Sequence, residues 1–242
     1  NVQGEGNVEI ELDGKNELKS GYYRAGLEKT SAGTLTLKDS KEAARGSLNA
    51  EGGALSAGIG ACYEEGTKNI IITGGTVTAT GGDGGAGIGG GDGGGAENIT
   101  ITGSTVTATG GSAMGFGGAG IGGGGDGRNS DSNGKNITIT GSTVIATSEG
   151  VGERGNRGGA GIGGGCIGNG ENIAITGSTV TATGHFGGAG IGGGYKGSGS
   201  NVTVSGAAQV TVTASKGSDW DSADTGATIG NGGSVTEDGD LV

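Results

Sequence analysis

Proline is absent from all 242 residues of this chain. That excludes a collagen-like or proline-rich linker architecture, despite 67 glycines. The glycines in turn exclude a helical protein, since each interior glycine costs a helix about 1 kcal/mol. Positive charge is also scarce. Fourteen Lys and Arg face 25 Asp and Glu, a net charge of −11, which leaves no basic patch for nucleic acid. There is no apolar run of the roughly 18 residues that a membrane-spanning helix needs. The first residues do not read as a signal peptide. The chain starts abruptly at Asn1 and ends in EDGDLV, which reads as a segment of a longer protein. Histidine occurs once, as His185, with no neighbouring Cys or matched carboxylate to make it a zinc ligand or a general base.

What the chain has in abundance is one repeat. Copies open at Asn69 (NIIITGGTVTATGG), Asn98 (NITITGSTVTATGG), Asn136 (NITITGSTVIATSE) and Asn172 (NIAITGSTVTATGH). Each closes on GGAGIGGG, whose isoleucine is Ile88, Ile121, Ile162 or Ile191. Within a copy, Ile99 and Ile101 alternate with Thr100 and Thr102. Val106 and Ala108 alternate with Thr105, Thr107 and Thr109. Alternation of β-branched residues with a period of two is the strand signature. The pair Gly103–Ser104 marks a corner between the two runs. Ala119-Gly120-Ile121 adds a third short strand.

Three strands joined by corners make one coil of a β-solenoid, and a long-period repeat is the mark of such folds. The closing isoleucines are unequally spaced, so the corners take up insertions that the strands cannot. The expected fold is all-β: a single right-handed parallel β-helix of about seven three-strand coils. Stacking predicts three inward ladders: Ile70, Ile99, Ile137, Ile173 and Val202; Val77, Val106, Val144, Val180 and Val210; and the AGIG isoleucines. One coil cannot bury its own apolar edge, so stability has to come from its neighbours. Residues 1–242 read as one continuous domain, with divergent N-terminal coils over 1–66, regular coils over 67–200 and a divergent C-terminal coil over 201–242. Terminal repeats are expected to be atypical because they cap the stack.

In the matched coils the charges are expected to fall in two corners, one before GGAG and one after GIGGG, leaving neutral strand faces of Thr, Gly and Ala. The two cysteines, Cys62 and Cys166, follow closing isoleucines three coils apart. At about 4.8 Å per rung that separation is roughly 14 Å, beyond the ~7 Å that a disulfide spans between Cα atoms. No disulfide is expected.

Several residues are candidates for binding. Phe116, Phe186 and Trp220 fall in the corner before the third strand, and Tyr63 and Tyr195 in the one after it. Aromatic rings on a stacked edge offer a platform for the C–H faces of sugars. The simpler reading is that they cover glycine-rich backbone or cap an end. Asp219, Asp221 and Asp224 lie in one loop, SDWDSAD, and carboxylates at such spacing can bind Ca²⁺, which takes six to eight oxygens. The loop lacks the glycine and terminal glutamate of an EF-hand. GGDGGAGIGGGDGG resembles the Ca²⁺-binding nonapeptide of RTX repeats, but its aspartates are differently spaced. Solvated acidic loops are the plain alternative. Thr78, Thr107, Thr181 and Thr211 align as an outward row like that of ice-binding solenoids, interrupted by Ile145. Ala174 breaks the neighbouring row. Pectin-degrading enzymes also use parallel β-helices, but their chemistry needs acidic and basic groups on a strand face. The neutral faces expected here make a polysaccharide-degrading enzyme a lesser alternative.

Together, VEIELDGKNELKSG, GTLTLKDS…GSLNAEGG and NITITGSTVTATGG…GAGIGGG resemble the β-helical carbohydrate-binding domains of clostridial and related Gram-positive surface proteins. Some of those bind acidic plant polysaccharide with Ca²⁺. The resemblance implies a right-handed parallel β-helix, an exported protein attached to or released from the cell surface, and binding instead of catalysis. It carries no ligand-contacting residue over to this chain. The functional expectation is a non-catalytic surface module that binds polysaccharide or a host or cell-surface glycan, or serves as an adhesin. A structural spacer is the alternative.

Overall fold

The computed structural model describes residue 2 and residues 4–40, 46–113, 115–125, 131–149, 157–215 and 225–233. Among these residues there is no helix, and therefore none long and apolar enough to cross a membrane. The chain winds as a right-handed parallel β-helix, the hand that strand–crossover–parallel strand connections almost always take. Three parallel sheets of seven strands each give seven rungs and six stacking steps.

The first sheet holds Val8–Glu11, Leu35–Lys38, Thr67–Thr73, Ala96–Thr102, Gly134–Thr140, Gly170–Thr176 and Gly199–Ser205. The second holds Lys15–Lys19, Ser47–Glu51, Thr76–Thr80, Thr105–Gly110, Thr143–Ser148, Thr179–Gly184 and Gln209–Ala214. The third is built of two-residue strands, Leu27–Glu28, Ile59–Gly60, Ile88–Gly89, Ile121–Gly122, Ile162–Gly163, Ile191–Gly192 and Ile229–Gly230.

Alternation in sequence becomes alternation in burial. Ile70, Ile99, Ile137 and Ile173 stack in register and are fully buried, with Leu35 before them and Val202 after. Ile72, Ile101, Ile139 and Ile175 form a second buried row two residues along. Val77, Val106, Val144 and Val180 line the second sheet, and Ile59, Ile88, Ile121, Ile162 and Ile191 the third. Burying each such side chain stabilises the stack by about 1.5–3 kcal/mol. In the last rung the same positions are half open: Val204 is 42% and Ile229 44% exposed.

The first-sheet strands begin earlier than the alternating pattern predicts, which corrects the expectation that these strands carry no charge. Two residues before each ladder asparagine already pair in the sheet. Lys68, Glu97, Lys135 and Glu171 therefore stand in one row of alternating sign. The ladder hydrogen bonds continue past the asparagine because it does not stay extended. Asn69, Asn98, Asn136, Asn172 and Asn201 all adopt left-handed φ, between 51° and 59°.

Asparagine tolerates that conformation better than other side-chain-bearing residues. Each of these asparagines donates Nδ2 to the Oδ1 of the one before, at 2.9, 3.0, 3.0 and 2.7 Å from Asn98 to Asn201, and Asn69 donates to the Ala32 carbonyl at 3.0 Å. The next corner has a second, buried ladder. Ser142 Oγ accepts from the Ser104 N–H at 3.3 Å, and Ser178 Oγ from the Ser142 N–H at 3.2 Å. Cys62 and Cys166 are both thiols, three rungs apart as expected.

Candidate functional site

The third side of each coil is only two residues long, which decides the shape of the molecule. Gly122 adopts φ +137°, and a Cβ there would sit 1.8 Å from the Gly163 carbonyl oxygen of the next rung. Only glycine lets the rungs approach at that point. The loops entering and leaving so short a strand are close enough to bond to each other. Five backbone N–H groups of the leaving loops donate to carbonyls of the entering loops one rung back. They run from Asp92 to Leu55 (2.9 Å), Gly125 to Gly84 (2.6 Å), Cys166 to Gly117 (2.9 Å), Tyr195 to Gly158 (2.9 Å) and Gly233 to Gly187 (2.7 Å). The two separate corners read from the sequence are therefore one continuous ridge, and this corrects that reading.

All four tyrosines and both phenylalanines of the chain stand on this ridge. Among the candidates, the structure brings Phe116, Phe186 and Tyr195 there. Tyr195 is only 3% exposed. The Arg157 guanidinium lies 5.5 Å from its ring centroid, and the Lys196 ammonium also 5.5 Å. Arg157 reaches the half-buried Phe116 as well, at 5.7 Å. These separations are within cation–π range. The middle of the ridge is thus occupied by its own cations, and Tyr195 is not an open platform. Phe186 is half-buried at left-handed φ (46°), its N–H bonded to Ser215 Oγ at 2.9 Å. His185 beside it is bonded through Nδ1 to the Ser148 carbonyl, a structural role. Trp220, Asp219, Asp221 and Asp224 lie outside the described residues. Among the described residues, no three His, Cys, Asp or Glu converge as a metal site.

The open aromatic surface is at the other end of the ridge, on two tyrosines of the first coil that are not among the sequence candidates. Tyr22 is 80% and Tyr23 53% exposed. Their ring centroids are 6.1 Å apart, and Tyr23 is 5.6 Å from Tyr63 of the next coil. Tyr23 sits at φ 59°, where the third coil has Gly84 at 69°. A bulky residue there costs about 1–2 kcal/mol. The signal was available: Tyr22 and Tyr23 precede Ala25-Gly26-Leu27 as Leu55 precedes Ala57-Gly58-Ile59.

An adjoining groove of about 310 Å³ is lined by Tyr22, Lys19, Glu51, Asp83 and glycine backbone. A second groove, about 290 Å³, follows the alternating charge row at Lys68, Glu97 and Lys135 and has no aromatic in its wall. The threonine row of the second sheet reads Asn49, Thr78, Thr107, Ile145, Thr181, Thr211, and the 46% exposed Ile145 breaks its outer face.

The family model described as "Beta helix repeat" matches residues 70–92, 99–125, 137–166 and 173–195. Each match opens on the first buried isoleucine of a coil and closes in the loop after the third strand. The chain thus carries a β-helix repeat domain, a fold consistent with a surface or structural module. No curated protein and no solved structure matches it.

Proposed function

We propose that this chain is a non-catalytic module of an exported surface protein, and that it binds glycan along the aromatic ridge. The observation that carries the reading is the confinement of every tyrosine and phenylalanine to one of three edges, while the outward strand positions are mostly Thr and Asn in the regular coils and largely Lys and Glu in the first two. An amphipathic ring presents an apolar face to sugar C–H groups and a polar rim to hydroxyls. Loops held on a rigid scaffold are where binding residues concentrate. The charged groups of the first sheet alternate in sign along a row, which supports a solvated stabilising ladder and not a catalytic cluster.

The unbroken core ladders favour a second reading, a spacer that holds distance: six steps of about 4.8 Å make a rod core of roughly 29 Å. A glycan array, run with and without Ca²⁺, separates the two. Binding of any plant, host or bacterial glycan at millimolar or lower concentration is the expected result. No binding anywhere on the array overturns the glycan reading in favour of the spacer.

A further inference from the structure

The open end of the ridge has a floor, a wall and a charge that together select a ligand. The floor is backbone. A Cβ on Gly53 would meet the Gly21 carbonyl oxygen at 1.8 Å, and one on Gly82 would meet the Gly53 carbonyl oxygen at 2.0 Å. The rungs are in contact there, and among the described residues no side chain fills the groove above them. The wall is pre-ordered. Ser20 Oγ accepts from the Gly53 N–H at 2.9 Å and donates to the Arg24 carbonyl. The Tyr23 N–H donates to the Ala54 carbonyl at 3.2 Å. These bonds fix the backbone of loop 20–24 that carries the tyrosines, which lowers the ordering cost on binding.

The charge is one-sided. Lys19 is already paired with Glu51 at 2.6 Å. Asp83, exposed on the opposite lip, makes no ion pair or side-chain hydrogen bond among the described residues. Glu64 and Glu65 stand on the same ridge, and Arg24 pairs with the buried Glu28 at 3.0 Å.

We infer that the groove between Tyr22 and Asp83 is a binding site for amino sugars, taking a hexosamine with a free ammonium group. This rests on the glycan reading above and deepens it. The pyranose ring stacks on the tyrosine faces, and its ammonium pairs with the Asp83 carboxylate. Aromatic faces attract cations, which adds to the preference. Of the groove's charged lining, Lys19 and Glu51 offset each other and Asp83 leaves one net negative charge, so uronates and sulfated sugars are disfavoured there by like-charge juxtaposition.

The test is calorimetric titration of the whole chain with three oligosaccharide probes of equal length in mildly acidic buffer: chitosan (cationic), cellulose-derived (neutral) and oligogalacturonate (anionic). Chitosan oligosaccharide binds tightest and oligogalacturonate does not bind. Asp83→Asn weakens chitosan binding about three- to tenfold, in the range of an exposed charge-assisted contact, and leaves the neutral probe unchanged. Tyr22→Ala weakens both. Tyr22 and Asp83 are exposed, so the variants keep the wild-type melting temperature. Oligogalacturonate binding as tightly as chitosan, or chitosan binding that ignores both substitutions, overturns this inference and leaves the glycan reading standing. Failure of every probe here, together with an empty glycan array, overturns both.

Discussion

Asn136 is the position at which the solenoid's stacking can be weighed term by term. It sits in an interior coil at φ 55°. Its Nδ2 donates to Asn98 Oδ1 at 3.0 Å, and its Oδ1 accepts from Asn172 Nδ2, also at 3.0 Å. Asn136→Ala removes both ladder bonds and leaves a residue that disfavours left-handed φ. An exposed hydrogen bond contributes about 0.5–1 kcal/mol net, and forcing alanine into the left-handed region costs about 1 kcal/mol or more. The sum is about 2–3 kcal/mol.

Asn136→Gly loses the same two bonds but adopts positive φ freely, so it should cost about 1–2 kcal/mol. Urea unfolding followed by far-UV circular dichroism gives both values, provided the slope m is unchanged. Equal losses in the two variants would refute the backbone part of the argument. A loss below about 0.5 kcal/mol in both would refute the ladder itself and leave the core rows as the whole source of stacking.

Three further outcomes are expected. Burial, then the neighbouring Glu28 and Glu65, hold the Cys62 thiol above its ordinary range. The native protein should therefore react with iodoacetamide more slowly than a small thiol at neutral pH, with the rate rising as pH climbs past the usual thiol range. Cys166 is fully buried and should react only after denaturation, when titration without reductant finds both thiols. Finding neither would mean that the coil register is wrong. Calcium titrated to several millimolar should shift the fluorescence of Trp220 and raise the melting temperature, since Asp219, Asp221 and Asp224 flank it in sequence. No change in either would remove Ca²⁺ from the account.

The core was legible because its signal is local and repeated. Ile99, Val106 and Ile121 recur in every regular coil with the same flanking turn residues, so the repeat itself puts the three buried rows in register. The early start of the first-sheet strands was not legible. Glu97 and Lys135 look like corner charges until Asn98 and Asn136 are known to turn left-handed, which lets the extended chain resume on both sides. The asparagines and serines stood in plain view as repeat letters. Their roles become visible only across rungs, because each ladder bond joins residues 29–38 positions apart.

The ridge was hidden for a related reason. A sequence presents the loops before and after Ile121 as two corners, and nothing in their composition says that they touch. What joins them is the brevity of the third strand together with Gly122 and Gly163, whose missing Cβ atoms allow contact at a distance no other residue permits. Glycine excess, which by composition alone looked like a lack of information, is the cause of the ridge. Left-handed backbone does not single out the aromatic end, because Leu55 and Phe186 turn the same way on the ridge, at φ 63° and 46°. Exposure does. Tyr22 and Tyr23 are 80% and 53% exposed, whereas Tyr195 is 3% exposed and flanked by the cations of Arg157 and Lys196. That contrast between the two ends of one ridge is why the proposed binding surface lies in the N-terminal coils and not in the regular ones that dominate the sequence.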